Sequence, residues 1–181
     1  MNKLNEKIVG ILKQHPEGKD FFNALDAMIR GDLDILSTFV HFATNNITDP
    51  KSYVLVLTGR FGIALINNFG TYLNDLFSQV ILVNGGIREG NVPIILAESL
   101  NSHHCIMFDD SFYSGKTRDT INYKLNELHA SIAETYVVYD GSITKDRNVF
   151  SMFRYHPESS VVNTEPPEIN EDCLEDIISS L

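Results

Sequence analysis

CIMFDDSFYSGKT, residues 105–117, runs from four apolar residues through two adjacent acids to a Ser-Gly-Lys-Thr turn. The apolar run over 105–108 has the unbroken hydrophobicity of a strand covered on both faces. Helical spacing over 117–129 follows it, so the stretch predicts a strand, a turn and a helix in succession. The same alternation extends in both directions. YVLVL over 53–57 predicts a strand, Thr58-Gly59-Arg60-Phe61-Gly62 a turn and 63–77 a helix, before a second strand over 80–83. TYVVY over 135–139 predicts a fourth strand, while 92–100 is an apolar stretch without a decisive period. Strands alternating with helices predict an α/β fold in which a parallel sheet is flanked by helices. Ligands of such sheets bind beyond the carboxyl ends of the strands, which nominates residues 58–62, 84–91, 109–117 and 140–147.

Ahead of this core, apolar residues recur at helical spacing from Glu6 to Leu36, broken by His15-Pro16-Glu17-Gly18, and predict two or three helices. Asp49-Pro50 closes that region. The aromatic residues Phe21, Phe22, Phe39 and Phe42 read as core or as a dimer surface. After Arg154 the chain carries seven acids and no Lys or Arg, with Pro166-Pro167 inside a linker-like stretch. The expected organisation is therefore one domain over 1–156, its helical N-terminal part spanning 1–50, followed by a linker and acidic tail over 157–181.

Composition narrows the function classes. With 181 residues, 43% of them hydrophobic, one core forms without metal or disulfide support. The two cysteines, Cys105 and Cys173, lie far apart without metal-ligand spacing, which fits a reducing cytoplasm. The N-terminus is too polar for a signal peptide and no apolar run reaches membrane-spanning length, so no membrane association is expected. A net charge of −10 argues against a broad nucleic-acid surface, since duplex affinity rests on neutralising phosphates. His103-His104 is not a metal pair by spacing, because neighbours on an extended segment point to opposite sides.

The loop itself separates two duties. As a nucleoside-triphosphate cradle it fails, because the first glycine of G-x-x-x-x-G-K-[ST] would fall on Asp110. Paired carboxylates suit sugar hydroxyls or a magnesium ion, whereas the hydroxyls and free amides of a tight turn into a helix suit one phosphate. A ribose beside a 5′-phosphate satisfies both halves.

IMFDDSFYSGKT resembles the phosphoribosyl-pyrophosphate signature of type I phosphoribosyltransferases, especially the purine-salvage branch with Thr-Gly-Lys-Thr. YVLVLTGRFG is similar to that family's first strand and pyrophosphate loop, so the resemblance covers about residues 53–140. It implies a type I phosphoribosyltransferase-like fold. It also implies that Asp109 and Asp110 hold the ribose hydroxyls and a Mg2+ ion, that Tyr113, Ser114, Gly115, Lys116 and Thr117 wrap the 5′-phosphate, and that Thr58, Gly59 and Arg60 contact pyrophosphate. Arg88 would be the cation of a short cover loop, and Asp140 would lie where relatives recognise the base. The implied ligand is phosphoribosyl pyrophosphate or a nucleoside monophosphate, and the implied reaction is phosphoribosyl transfer to a nitrogenous base. Tyr113 stands where purine-salvage members carry an Asp, which points away from purine chemistry. A second expectation is a non-enzymatic sensor or regulator that keeps the phosphoribosyl site and acts through a protein partner. A homo-oligomer is compatible with either.

Overall fold

The computed structural model describes residues 6–7, 10–11, 14, 18–84, 94–95 and 99–154. The N-terminal part includes the helices α1 (Gly18–Gly31) and α2 (Leu33–Asn46). Asp32 separates them: its carboxylate accepts the amides of Asp34 at 3.1 Å and Ile35 at 3.3 Å, capping α2 at its start. The rest alternates β1 (Val54–Thr58), α3 (Gly59–Leu76), β2 (Gln79–Asn84), β3 (Ile94–Ile95), β4 (His104–Phe112), α4 (Lys116–Asn126), β5 (Ser131–Asp140) and β6 (Val149–Arg154).

The sheet runs in the order β3-β2-β1-β4-β5-β6. Every neighbouring pair is parallel except β2 with β3. The four strands expected from apolar runs are therefore adjacent and parallel, with their carboxyl ends on one edge. One face packs Leu55, Leu57, Ile106, Phe108 and Val138 against α1, α2 and α3; the other packs Val54, Val56, Cys105 and Met107 against Ile121 and Leu125 of α4. This two-sided burial explains why β1 is apolar at four successive positions. Phe108 is the hub of the first face, edge-on to Phe39 at 5.2 Å and close to Phe77 and Tyr136. Phe39 thus belongs to the core and Phe42 packs on Tyr136, whereas the side chains of Phe21 and Phe22 lie outside the described ones.

The elements differ from expectation in several places, the strand expected over 135–139 beginning at Ser131 among them. The helix after β1 begins at Gly59, not at residue 63, because Gly59 takes φ +51° and lets the chain pass directly from strand to helix. Strand β4 continues through Asp109, Asp110, Ser111 and Phe112, which pair with β5 as far as Asp140. Strand β6 was not expected at all, since VFSMFR follows the charged stretch 144–147 and Ser151 interrupts its apolar residues, so no continuous apolar run forms.

Gly62 fixes how closely α3 approaches the sheet: an added Cβ would lie 2.9 Å from the Leu57 carbonyl carbon and 2.8 Å from Leu82 Cδ1. Gly62→Ala is expected to destabilise the fold by about 1–3 kcal/mol, the usual cost of overpacking, measurable as a lowered urea midpoint at unchanged slope.

Candidate functional site

The order of the strands marks one place on the carboxyl edge. From β1 the chain turns into α3 on one face; from its neighbour β4 it turns into α4 on the other. The two connections diverge, leaving a crevice at the β1/β4 switch point, where open α/β sheets bind ligands. Both segments singled out by sequence, Thr58-Gly59-Arg60 and Tyr113-Ser114-Gly115-Lys116-Thr117, border it.

Gly115 is the pivot of the second segment. It is the N-cap of α4 at φ +75°, and an added Cβ would stand 3.2 Å from Phe112 Cζ. The turn therefore requires glycine on conformational grounds. Ser114 and Lys116 are exposed and Thr117 is half-buried. The first intrahelical bond of this segment runs from the Asp119 amide to the Gly115 carbonyl at 2.9 Å. The preceding amides of the first turn lack intrahelical acceptors by helix geometry and, with the helix dipole, favour an anion. Across the crevice, Thr58 is buried and its hydroxyl donates to the Phe108 carbonyl at 3.3 Å, so it ties β1 to β4. Arg60 is exposed on the first turn of α3, and a Cβ on Gly59 would meet nothing within 4 Å. The backbone there faces open space.

Asp109 and Asp110 do not stand beyond the strand, as expected, but within β4. Pairing with β1 ends at Phe108, so both border the crevice on that side. Successive strand residues face opposite ways. Asp109 shares the parity of Met107 and Cys105, on the side of α4; Asp110 shares that of Phe108, on the side of α1. Asp109 is half-buried, and its Oδ1 accepts the Asp110 amide at 2.9 Å. Asp110 is buried: Oδ1 accepts the Ser111 hydroxyl at 3.0 Å and Oδ2 lies 3.5 Å from Arg30 Nη1. The two carboxylates therefore face opposite sides of the sheet, and among the described residues no group of three or more His, Cys, Asp or Glu side chains is placed to hold a metal ion.

The positions that the resemblance implies for base recognition are also engaged within the protein. Asp140 ends β5 instead of following it, and is buried: Arg154 Nε lies 3.1 Å from Oδ2, while the Ser142 amide and hydroxyl donate to Oδ1 at 2.9 and 2.5 Å. Tyr113 lies 5.8 Å from the Tyr139 ring, its edge 2.5 Å from where a Gly141 Cβ would stand. Arg118 of α4 pairs with Asp146 at 2.7 Å and covers the Phe112 ring at 5.1 Å. The Asn148 amide, then Arg118, holds the Asp146 carboxyl below the usual range. Lys145 and Arg147 are exposed, as a solvated loop requires. Arg88 lies outside the described residues. His103 and His104 are exposed, and His103 Nδ1 bonds the His129 carbonyl at 2.8 Å. Burial pushes the Cys105 thiol up to about 11, which removes it as a nucleophile.

Arg30, Arg118 and Arg154 were not found from sequence. Each pairs with an acid distant along the chain, and no local spacing signals such a contact.

No protein-family model and no curated protein sequence matches the chain. Among solved structures, it is similar to a purine phosphoribosyltransferase from Pyrococcus horikoshii, at 18% identity and a TM-score of 0.47 over 67% of this chain and 83% of that one. It is also similar to an adenine phosphoribosyltransferase from Thermoanaerobacter pseudethanolicus, at 11% identity and 0.48 over 68% and 83% of the chains. A third likeness is to the adenine phosphoribosyltransferase of Leishmania tarentolae, at 12% identity and 0.49 over 71% and 74%.

Proposed function

We propose that the protein binds a 5′-phosphorylated ribose in the β1/β4 crevice, as a phosphoribosyltransferase-like protein acting on phosphoribosyl pyrophosphate and a nitrogenous base. The observation that carries this reading is the positive-φ Gly115 turn, which opens α4 at the switch point with Asp109 on the same side of the sheet. In this reading the amides and hydroxyls of Ser114, Gly115, Lys116 and Thr117 hold the 5′-phosphate, with Lys116 adding charge. Asp109 accepts a ribose hydroxyl. Gly59 and Arg60 receive the pyrophosphate on the other wall, where the exposed guanidinium and the start of α3 both favour an anion. A Mg2+ ion would be held by the ligand's diphosphate together with the Asp109 carboxylate, and would supply neutralisation of the leaving pyrophosphate. In transfer, the bond from ribose C1 to the pyrophosphate oxygen breaks, a base nitrogen bonds to C1, and that nitrogen's proton leaves. The protein's part is positioning and charge stabilisation.

A second reading, a non-enzymatic phosphoribosyl sensor, is favoured by one specific arrangement: Tyr113 and Asp140 are both taken up by internal contacts. Calorimetry with phosphoribosyl pyrophosphate, with and without magnesium, followed by a pyrophosphate-release screen over purine and pyrimidine bases, separates the two. Binding with release is the transferase; binding without release is the sensor; no binding removes both.

A further inference from the structure

The turn that opens α4 is confined from outside itself. Gly115, the N-cap, offers no side-chain cap, and the Ser114 hydroxyl oxygen accepts the Lys116 amide only at 3.5 Å. Glycine also has more backbone freedom to lose than any other residue, so the amides after Gly115 keep one direction where neighbours restrain the chain. Two neighbours do so. Phe112 Cζ and Arg118 Nη2 stand 3.2 and 3.4 Å from where a Gly115 Cβ would lie, and the Arg118 guanidinium covers the Phe112 ring at 5.1 Å from its centre.

Arg118 is in turn fixed by the loop between β5 and β6. Its Nη1 donates to Asp146 Oδ2 at 2.7 Å. Asp146 is itself held there, because its Oδ1 accepts the Asn148 amide at 2.9 Å and its carbonyl accepts the Val149 amide at 3.2 Å. The same loop meets Phe112 directly, since the Gly141 amide donates to the Phe112 carbonyl at 2.8 Å. Asp119, the other acid at Arg118, lies 3.3 Å from Nε but is 69% exposed, so it adds little. Contacts thus run from the 141–148 loop through Asp146 and Arg118 to Gly115.

Resting on the phosphoribosyl reading for its ligand, we propose that Arg118 is a positioning residue of the phosphate turn, with Asp146 as its anchor: the pair braces Gly115 and presets the Lys116 and Thr117 amides for the anion. Arg118 acts through the turn and not as a charge on the phosphate. Asp146, although acidic and close to an anion site, therefore supports binding instead of opposing it.

Two measurements on Arg118→Gln, Arg118→Lys, Asp146→Asn and Arg118→Gln/Asp146→Asn test this. Backbone amide order parameters of the ligand-free chain read the brace itself. Those of 115–117 should fall from about 0.85 toward 0.6 in Arg118→Gln and Asp146→Asn, while those of Ile106 and Met107 stay in the rigid range. Calorimetry with ribose 5-phosphate should then show affinity lowered about threefold to tenfold by either substitution, the scale of one hydrogen bond between partly exposed charged groups. The double variant should be no weaker than the weaker single one, because both remove the same contact. Arg118→Lys keeps the charge without the planar fork and should fall between native and Arg118→Gln. Unchanged order parameters at 115–117 overturn the proposal, as does native affinity in spite of lowered ones. Tighter binding by Asp146→Asn also overturns it, since that is the result for an Arg118 acting by charge alone. Should Arg118→Gln fail to fold, Asp146→Asn decides by the same two readouts. Failure of the native chain to bind ribose 5-phosphate removes the phosphoribosyl reading and the ligand with it, whereas the order parameters still decide whether the pair braces the turn.

Discussion

Gly115→Val is expected to abolish binding of every 5′-phosphorylated ribose while leaving a folded, less stable protein. At φ +75° a β-branched residue is a steric outlier, and the Cβ alone would stand 3.2 Å from Phe112 Cζ and 3.4 Å from Arg118 Nη2. Left-handed backbone costs an L-residue about 1–2 kcal/mol, and a chain that relieves it by rotating the peptide turns the Lys116 and Thr117 amides away from the phosphate. Two hydrogen bonds to a dianion, at roughly 1.5 kcal/mol or more each, correspond to at least about 100-fold in affinity. Gly115→Ala separates conformation from bulk, because it carries the φ penalty without the methyl groups. Binding of ribose 5-phosphate within about threefold of native by the valine variant would show that the turn does not hold the ligand.

The second large effect is on stability. Arg154→Met leaves the Asp140 carboxylate, with its side chain 3% exposed, to the two Ser142 donors alone. Removing one partner of a buried pair costs about 3–5 kcal/mol. Arg154 is 38% exposed, so water replaces part of the lost contact and the lower end, about 3 kcal/mol, is expected. For a chain of this size that corresponds to a melting temperature lower by about 6–12 °C. The double variant Arg154→Met/Asp140→Asn should recover part of it, since no uncompensated charge remains. A loss below about 1 kcal/mol would mean that the pair behaves as a surface contact and that β6 is held to β5 by its ladder alone.

These expectations draw on residues that sequence revealed unequally. Strands β1, β2, β4 and β5 were legible because burial on both faces writes itself as consecutive apolar residues, as in Val54, Leu55, Val56 and Leu57. Gly115 was legible because a Gly-Lys-Thr turn at the end of such a strand needs a residue free to take positive φ. The extension of β4 through Asp109 and Asp110 was not, since carboxylates inside a strand contradict its apolar pattern and are tolerated here through contacts from elsewhere. Arg30 supplies one of them from 80 positions away, a distance that periodicity cannot bridge. Strand β6 escaped for a related reason: it follows a charged loop, and Ser151 and Arg154 interrupt its apolar residues, so it lacks an apolar run. The opposite placement of Asp109 and Asp110 follows from the pleat, yet only once the strand is known to continue through them.

The central claim, that the turn from β4 into α4 holds the phosphate of a phosphorylated ribose, is tested most directly by following backbone amide resonances during titration with ribose 5-phosphate and, in parallel, with unphosphorylated ribose. The account predicts saturable shifts concentrated at Ser114, Gly115, Lys116 and Thr117, with a smaller response at Asp109, for the phosphorylated sugar alone. Shifts confined to other surfaces, or equal responses to the two sugars, would contradict it.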